Sequence, residues 1–237
     1  MNFVIITPGR SGSTFLAQTL NQHSEIVCEG EIFNRTEFYE GSFNHFLQIN
    51  PLRRTIAFLF NRERLSTSKS NYPLEWLIRQ FHNQKRTDER LYGFKISLDQ
   101  LFAYPQLISV LKSSYKIIYL TREDKTRLVL SLMTARKTGN YEKFGGRHVY
   151  FAPVKVKQQL DLILKQERNC RDLLPESFEL TYEQLVGNRA NSLLRISNYL
   201  ELKVGIPPQP STTQKAHPEN ISDWVENIDE IERYLKA

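Results

Sequence analysis

Arg10-Ser11-Gly12-Ser13-Thr14 sets a guanidinium, three hydroxyls and a glycine between an apolar run at 3–6 and a segment carrying Phe15, Leu16 and Leu20 on one helical face. The run has the β-branched bias of a central parallel strand, Gly9 and Gly12 permit a tight turn, and Ser13-Thr14 open the helix. Such a junction suits an anion, because backbone N–H groups at a helix N-terminus face outward along the positive end of the dipole. The Walker pattern is absent: Gly12 follows Gly9 too soon, and no lysine precedes the hydroxyl pair. Arg10 is the nearest cation, so the segment reads as a phosphate loop of another kind.

Two further groups bear on this loop. In Cys28-Glu29-Gly30-Glu31, two carboxylates flank a glycine, and Glu31 is expected just beyond a short strand at 26–28, at the edge where the loop lies. A carboxylate there can take the proton of a hydroxyl that attacks a bound nucleotide. Glu29 competes with it for that role. A buried strand at 115–120 then delivers Arg122 to the same edge, with Ser131 on the helix that follows. Guanidinium and hydroxyl together clamp a phosphate monoester, the first bidentately and the second as a donor. The segment Thr181-Tyr182-Glu183-Gln184-Leu185 reads as a strand end and a short helix with a structural role.

These residues need a scaffold. Strand patterns at 3–6, 26–28, 91–96, 115–120 and 178–181 alternate with helical patterns at 14–22, 105–112, 125–137, 155–174 and 191–200. The alternation predicts an α/β fold with a central, mainly parallel sheet between two layers of helices, ligands gathering at the carboxyl ends of the strands. A chain of 237 residues fits a single domain over 1–237. A helical and loop insertion is expected at about 33–90, a mobile loop at 139–153, and a last helix at 225–235.

Composition narrows the partners. The net charge of +6 is spread along the chain, and Lys85, Arg86 and Arg90 are diluted by Asp88 and Glu89, which favours an anionic small ligand over nucleic acid. Two cysteines and five scattered histidines show no metal-ligand spacing, so no metal is expected. A strand starting at residue 3 and the lack of a long apolar run predict a cytoplasmic protein without stable membrane insertion.

Together these segments resemble the sulfotransferases that use 3′-phosphoadenosine-5′-phosphosulfate (PAPS). Arg10-Ser11-Gly12-Ser13-Thr14 resembles the 5′-phosphosulfate loop, Arg122 and Ser131 the 3′-phosphate clamp, and Thr181-Tyr182-Glu183-Gln184-Leu185 a recurrent strand-helix signature. Gly30-Glu31, Gly93-Phe94-Lys95-Ile96, Ala135-Arg136-Lys137-Thr138 and the stretch Ser222-Asp223-Trp224-Val225 are similar to bacterial carbohydrate sulfotransferases, those that sulfate nodulation factors and trehalose. Ser131 stands one residue further from Arg122 than in many members, which turns it by about 100° on a helix. Either an extra residue lies in the turn, or Arg127 shares the contact.

The resemblance implies a P-loop-like, three-layer fold and metal-free, in-line transfer of a sulfuryl group from PAPS to a hydroxyl of a glycan or related small acceptor. Glu31 is then the base, and Arg10 stabilises charge on the sulfuryl and bridging oxygens. Ser11, Gly12, Ser13 and Thr14 belong to the donor loop, while Lys95 helps to orient acceptor or sulfate. Acceptor contacts are expected from 33–90, with Arg35, His45 and nearby aromatics, and from 139–153. A P-loop kinase or hydrolase and a non-catalytic anion-binding module are the rival classes. Protein tyrosine and lipid are the rival acceptors.

Overall fold

The computed structural model describes residues 2–33, 90–139, 146, 148–207 and 217–237. Five strands form one sheet in the order β2-β3-β1-β4-β5, and every pairing is parallel. They are β1 (Asn2–Thr7), β2 (Ile26–Glu31), β3 (Leu91–Ser97), β4 (Tyr115–Thr121) and β5 (Phe178–Thr181). The described helices are α1 (Ser13–Leu20), α2 (Leu98–Ala103), α3 (Leu107–Ser114), α4 (Lys125–Thr138), α5 (Pro153–Leu173), α6 (Tyr182–Gly187), α7 (Arg189–Leu200) and α8 (Ile228–Lys236). This is the expected α/β architecture.

Strand β1 is central because both its faces are apolar. Val4 and Ile6 pack with Phe94, Ile96, Ile117 and Tyr119 beneath α2 and α3, while Phe3 and Ile5 pack with Leu16, Leu20, Ile118 and Leu180 beneath α1 and α7. Each such side chain contributes about 1.5–3 kcal/mol on burial. Gly93 of β3 lets the Phe3 ring cross its strand, since a Cβ there would lie 2.2 Å from the ring. A third core joins α4, α5 and α8 around the fully buried Trp224.

The turns explain the boundaries. Ser97 and Gln100 form a reciprocal capping box that starts α2, a helix the apolar pattern did not announce, and Thr181 with Gln184 does the same for α6. Asp124 caps α4, and Gly139 ends it at φ 68°. The strand expected at 26–28 runs on to Glu31, so Glu31 is the last residue of β2 and not a loop residue beyond it. The last helix begins at Ile228, after a short 3₁₀ turn at Ile221–Asp223.

Of the loop expected at 139–153, the described end is fixed: Val149 bridges to Val225, and Asn227 bonds both N–H and C=O of Phe151. The insertion, with Arg35 and His45, lies outside the described residues apart from Phe33 and Arg90. Among the described residues no helix is long and apolar enough to cross a membrane.

Candidate active site

The loop between β1 and α1 is left-handed at Gly9 (φ 79°), Arg10 (φ 55°) and Gly12 (φ 80°). Backbone of this kind curls successive N–H groups into a concavity that fits an anion. Arg10 accepts a conformation uncommon for a side-chain-bearing residue. Gly12 is the N-cap of α1 and offers no side chain to its first turn. A Cβ on Gly12 would meet the Tyr182 ring at 2.5 Å, so the loop is moulded against an aromatic plane from α6.

The lysine missing from the loop arrives from the neighbouring strand. Lys95, buried near the end of β3, donates from Nζ to Thr14 Oγ1 at 3.0 Å. Beside it stands Glu31, its register partner on β2, placed there by a bulge. Cys28 pairs with Gly93 and Glu31 with Lys95, so β2 carries one residue more than β3 between the two pairs. Strand side chains alternate faces, and the extra residue turns Glu31 to the face of Lys95, where a continuous register would turn it away. Gln100 Nε2 donates to Glu31 Oε2 at 3.4 Å. Glu29 sits within the bulge, and burial pushes its carboxyl up from the usual range.

On the other side of β1, Arg10 Nε donates to Ser131 Oγ at 3.0 Å, which ties the loop to α4. Arg122 reaches the Arg10 carbonyl from Nη1 at 3.5 Å. Its guanidinium lies 4.9 Å from the centre of the Tyr182 ring and 3.7 Å from the Glu183 carboxylate. Burial, joined by the charge of Arg127, lowers the Arg122 guanidinium below its ordinary value. Asp124 caps the helix that follows Arg122, and Ser131 on that helix faces the loop. Arg127 is directed elsewhere, donating to the carbonyls of Pro218 and Glu219. Tyr182 and Glu183, read from sequence as structural, lie against Arg122, the first also under Gly12.

Through Arg127 the C-terminal segment comes close to Arg122. His217 stacks on Trp224 with ring centroids 4.3 Å apart. Burial, then the charges of Arg10, Arg127 and Arg122, push the His217 imidazole down to about 4. The folded value lies below the unfolded one, so this stabilisation is complete above pH 6.5 and is lost as pH falls through about 4. Trp224 emission in a Trp76→Phe background is expected to report an acid transition well below pH 6.5, absent in His217→Phe. A transition at the ordinary histidine value would show that His217 lies apart from the three arginines.

A model of the sulfotransferase family matches residues 2–205. The chain belongs to the sulfotransferase family. Two of the solved structures similar to this sulfotransferase reach a TM-score of 0.50 or more and share its fold. The sulfotransferase domain from the curacin biosynthetic pathway is 19% identical with a TM-score of 0.53, over 94% of this chain and 81% of that one. A sulfotransferase from Alicyclobacillus acidocaldarius is 13% identical with a TM-score of 0.50, over 94% of this chain and 87% of that one. Mouse sulfotransferase SULT7A1, solved in complex with PAP, is 13% identical with a TM-score of 0.48, over 98% of this chain; the chain covers 62% of that protein. A search of curated proteins returned no match. Among the described residues of the sulfotransferase, no group of three His, Cys, Asp or Glu is placed to hold a metal ion.

Proposed function

We propose that this sulfotransferase moves a sulfuryl group from PAPS to a hydroxyl of a carbohydrate or related small acceptor, as bacterial carbohydrate sulfotransferases do. One observation carries the reading: Lys95 from β3 and Arg122 from just past the end of β4 both reach the left-handed loop. Lys95 bonds Thr14, and Arg10 bridges to Ser131 beside Arg122. A phosphosulfate places negative charge at the loop, and the 3′-phosphate, carried on the same ribose, needs a second cationic seat close beside it.

In this reading Gly12, Ser13 and Thr14 hold the 5′-phosphate, with Ser11 shaping the turn through its bond to the Gly9 carbonyl. Arg122 and Ser131 take the 3′-phosphate. The acceptor oxygen attacks sulfur as the bond to the 5′-phosphate oxygen breaks, giving a sulfate ester and PAP, and Glu31 receives the acceptor proton. Arg10 and Lys95 supply positive charge where the sulfuryl and bridging oxygens gain negative charge.

The test is incubation with ³⁵S-labelled PAPS and a panel of glycans, lipids and peptides, with PAP binding measured in parallel. Label on a carbohydrate hydroxyl is expected. No transfer to any acceptor, together with no PAP binding, defeats the reading; label on tyrosine or lipid corrects the acceptor alone. Arg122→Ala with Ser131→Ala is expected to weaken PAP binding by about two orders of magnitude, the loss of several charge-assisted hydrogen bonds. Retained affinity would overturn the clamp only.

A further inference from the structure

The amide of Gln100 has two ends, and the helix cap decides which one faces Glu31. Gln100 is the third residue of α2. Its backbone N–H donates to Ser97 Oγ at 3.3 Å, and its side-chain Oε1 accepts from the Ser97 N–H at 3.0 Å. A backbone N–H can only donate, so the oxygen end of the amide is committed to Ser97. The opposite end, an obligatory donor, is therefore presented to Glu31 Oε2 at 3.4 Å. Turning the amide over would set two donors face to face at Ser97 and two acceptors face to face at Glu31.

The helix that carries this amide is itself anchored. Asp99, the neighbouring residue, accepts from Arg136 on α4 at 2.8 Å and from Gln166 on α5 at 2.9 Å. Lys95, the register partner of Glu31, lies on the strand that runs directly into α2. Strand end, cap and carboxylate thus form one short linkage.

We infer that Gln100 is a positioning residue for Glu31: the amide that caps α2 also aims the Glu31 carboxylate by holding a donor against it. The inference rests on the reading of Glu31 as the base. A donor fixed against a carboxylate stabilises the charged form, and a like charge in its place disfavours it.

That contrast supplies the test, because glutamate and glutamine are interchangeable as the third residue of a capping box. Gln100→Glu keeps an acceptor for the Ser97 N–H and replaces the donor facing Glu31 by a second carboxylate. The full chain is loaded with PAP and labelled with ¹³C at glutamate carboxyls, the Glu31 resonance being assigned by its loss in Glu31→Gln. In Gln100→Glu the Glu31 midpoint is expected to rise by about one pH unit. Transfer of ³⁵S from PAPS to chitotetraose or trehalose is expected to show its acidic limb displaced by the same amount. The KM for PAPS and the melting temperature should stay at wild-type values.

A midpoint that does not move means that Gln100 is a helix cap only, and the inference falls. Should Gln100→Glu fail to fold, Gln100→Met, which lacks the donor, is compared with Ser97→Ala, which keeps both amide contacts. The Glu31 midpoint should rise in the first and not in the second; equal behaviour overturns the inference. Wild-type turnover in Glu31→Gln overturns the base reading and the inference with it, whereas an inactive Glu31→Gln beside an unmoved Gln100→Glu overturns the inference alone.

Discussion

Glu31→Gln is expected to bind PAP as the wild type does and to lose turnover by about 10²- to 10⁴-fold, the range ascribed to a positioned general base. The substitution is nearly isosteric, and its amide oxygen can still accept from Gln100, so the bulge and the start of α2 keep their geometry. What disappears is the ability to take a proton. Single-turnover transfer of label, with calorimetry of PAP binding, separates the two effects. If affinity for PAP falls in step with turnover, Glu31 maintains the loop instead. If turnover is unchanged, the base lies elsewhere, and Glu29 is the next residue to replace.

Lys125→Met is expected to destabilise the fold by about 3 kcal/mol, because it strands a buried carboxylate. Glu167 of α5 is 2% exposed and accepts from Lys125 Nζ and from Thr121 Oγ1, each at 2.6 Å. Lys125 also donates to Thr121 at 2.6 Å, so the three groups close a ring between the end of β4 and the first turn of α4. Replacing both charges, as in Lys125→Met with Glu167→Leu, should recover most of the loss. Urea unfolding of the two single variants and the double variant gives the coupling energy. Additive losses would mean that the pair is too well hydrated to matter. Arg122 lies between Thr121 and Lys125, so the single variant should also bind PAP more weakly at temperatures where it remains folded.

The parts of the site legible in the chain were those encoded locally. An apolar strand, two glycines and a hydroxyl pair specify the loop. Likewise Arg122 and Ser131 sit just past the end of a strand and on the following helix, which Asp124 caps. Less legible was anything set by register. The bulge at residues 28–31 has no signature beyond Gly30, yet it puts Glu31 beside Lys95. The floor that Tyr182 makes under Gly12 and Arg122 depends on β5 lying next to β4, a pairing that composition does not announce. The Ser97–Gln100 box was readable from its spacing, but α2 has only six residues and too little periodicity to stand out. Nor did sequence reading connect Arg127 with Pro218 and Glu219, which lie far along the chain.

The strand order β2-β3-β1-β4-β5 separates two jobs. Everything assigned to the nucleotide's 3′-phosphate comes from the β4 and β5 side, and Glu31, Lys95 and Gln100 come from the β2 and β3 side, with the β1 loop as the hinge line between them. On the proposed assignment, substitutions at Glu31 and Gln100 act on the acceptor side alone, whereas Lys95, bonded to Thr14, also touches the donor loop. Changes of acceptor are then expected to fall on the β2 and β3 side at residues that do not touch the loop, while the β4 and β5 side stays as it is.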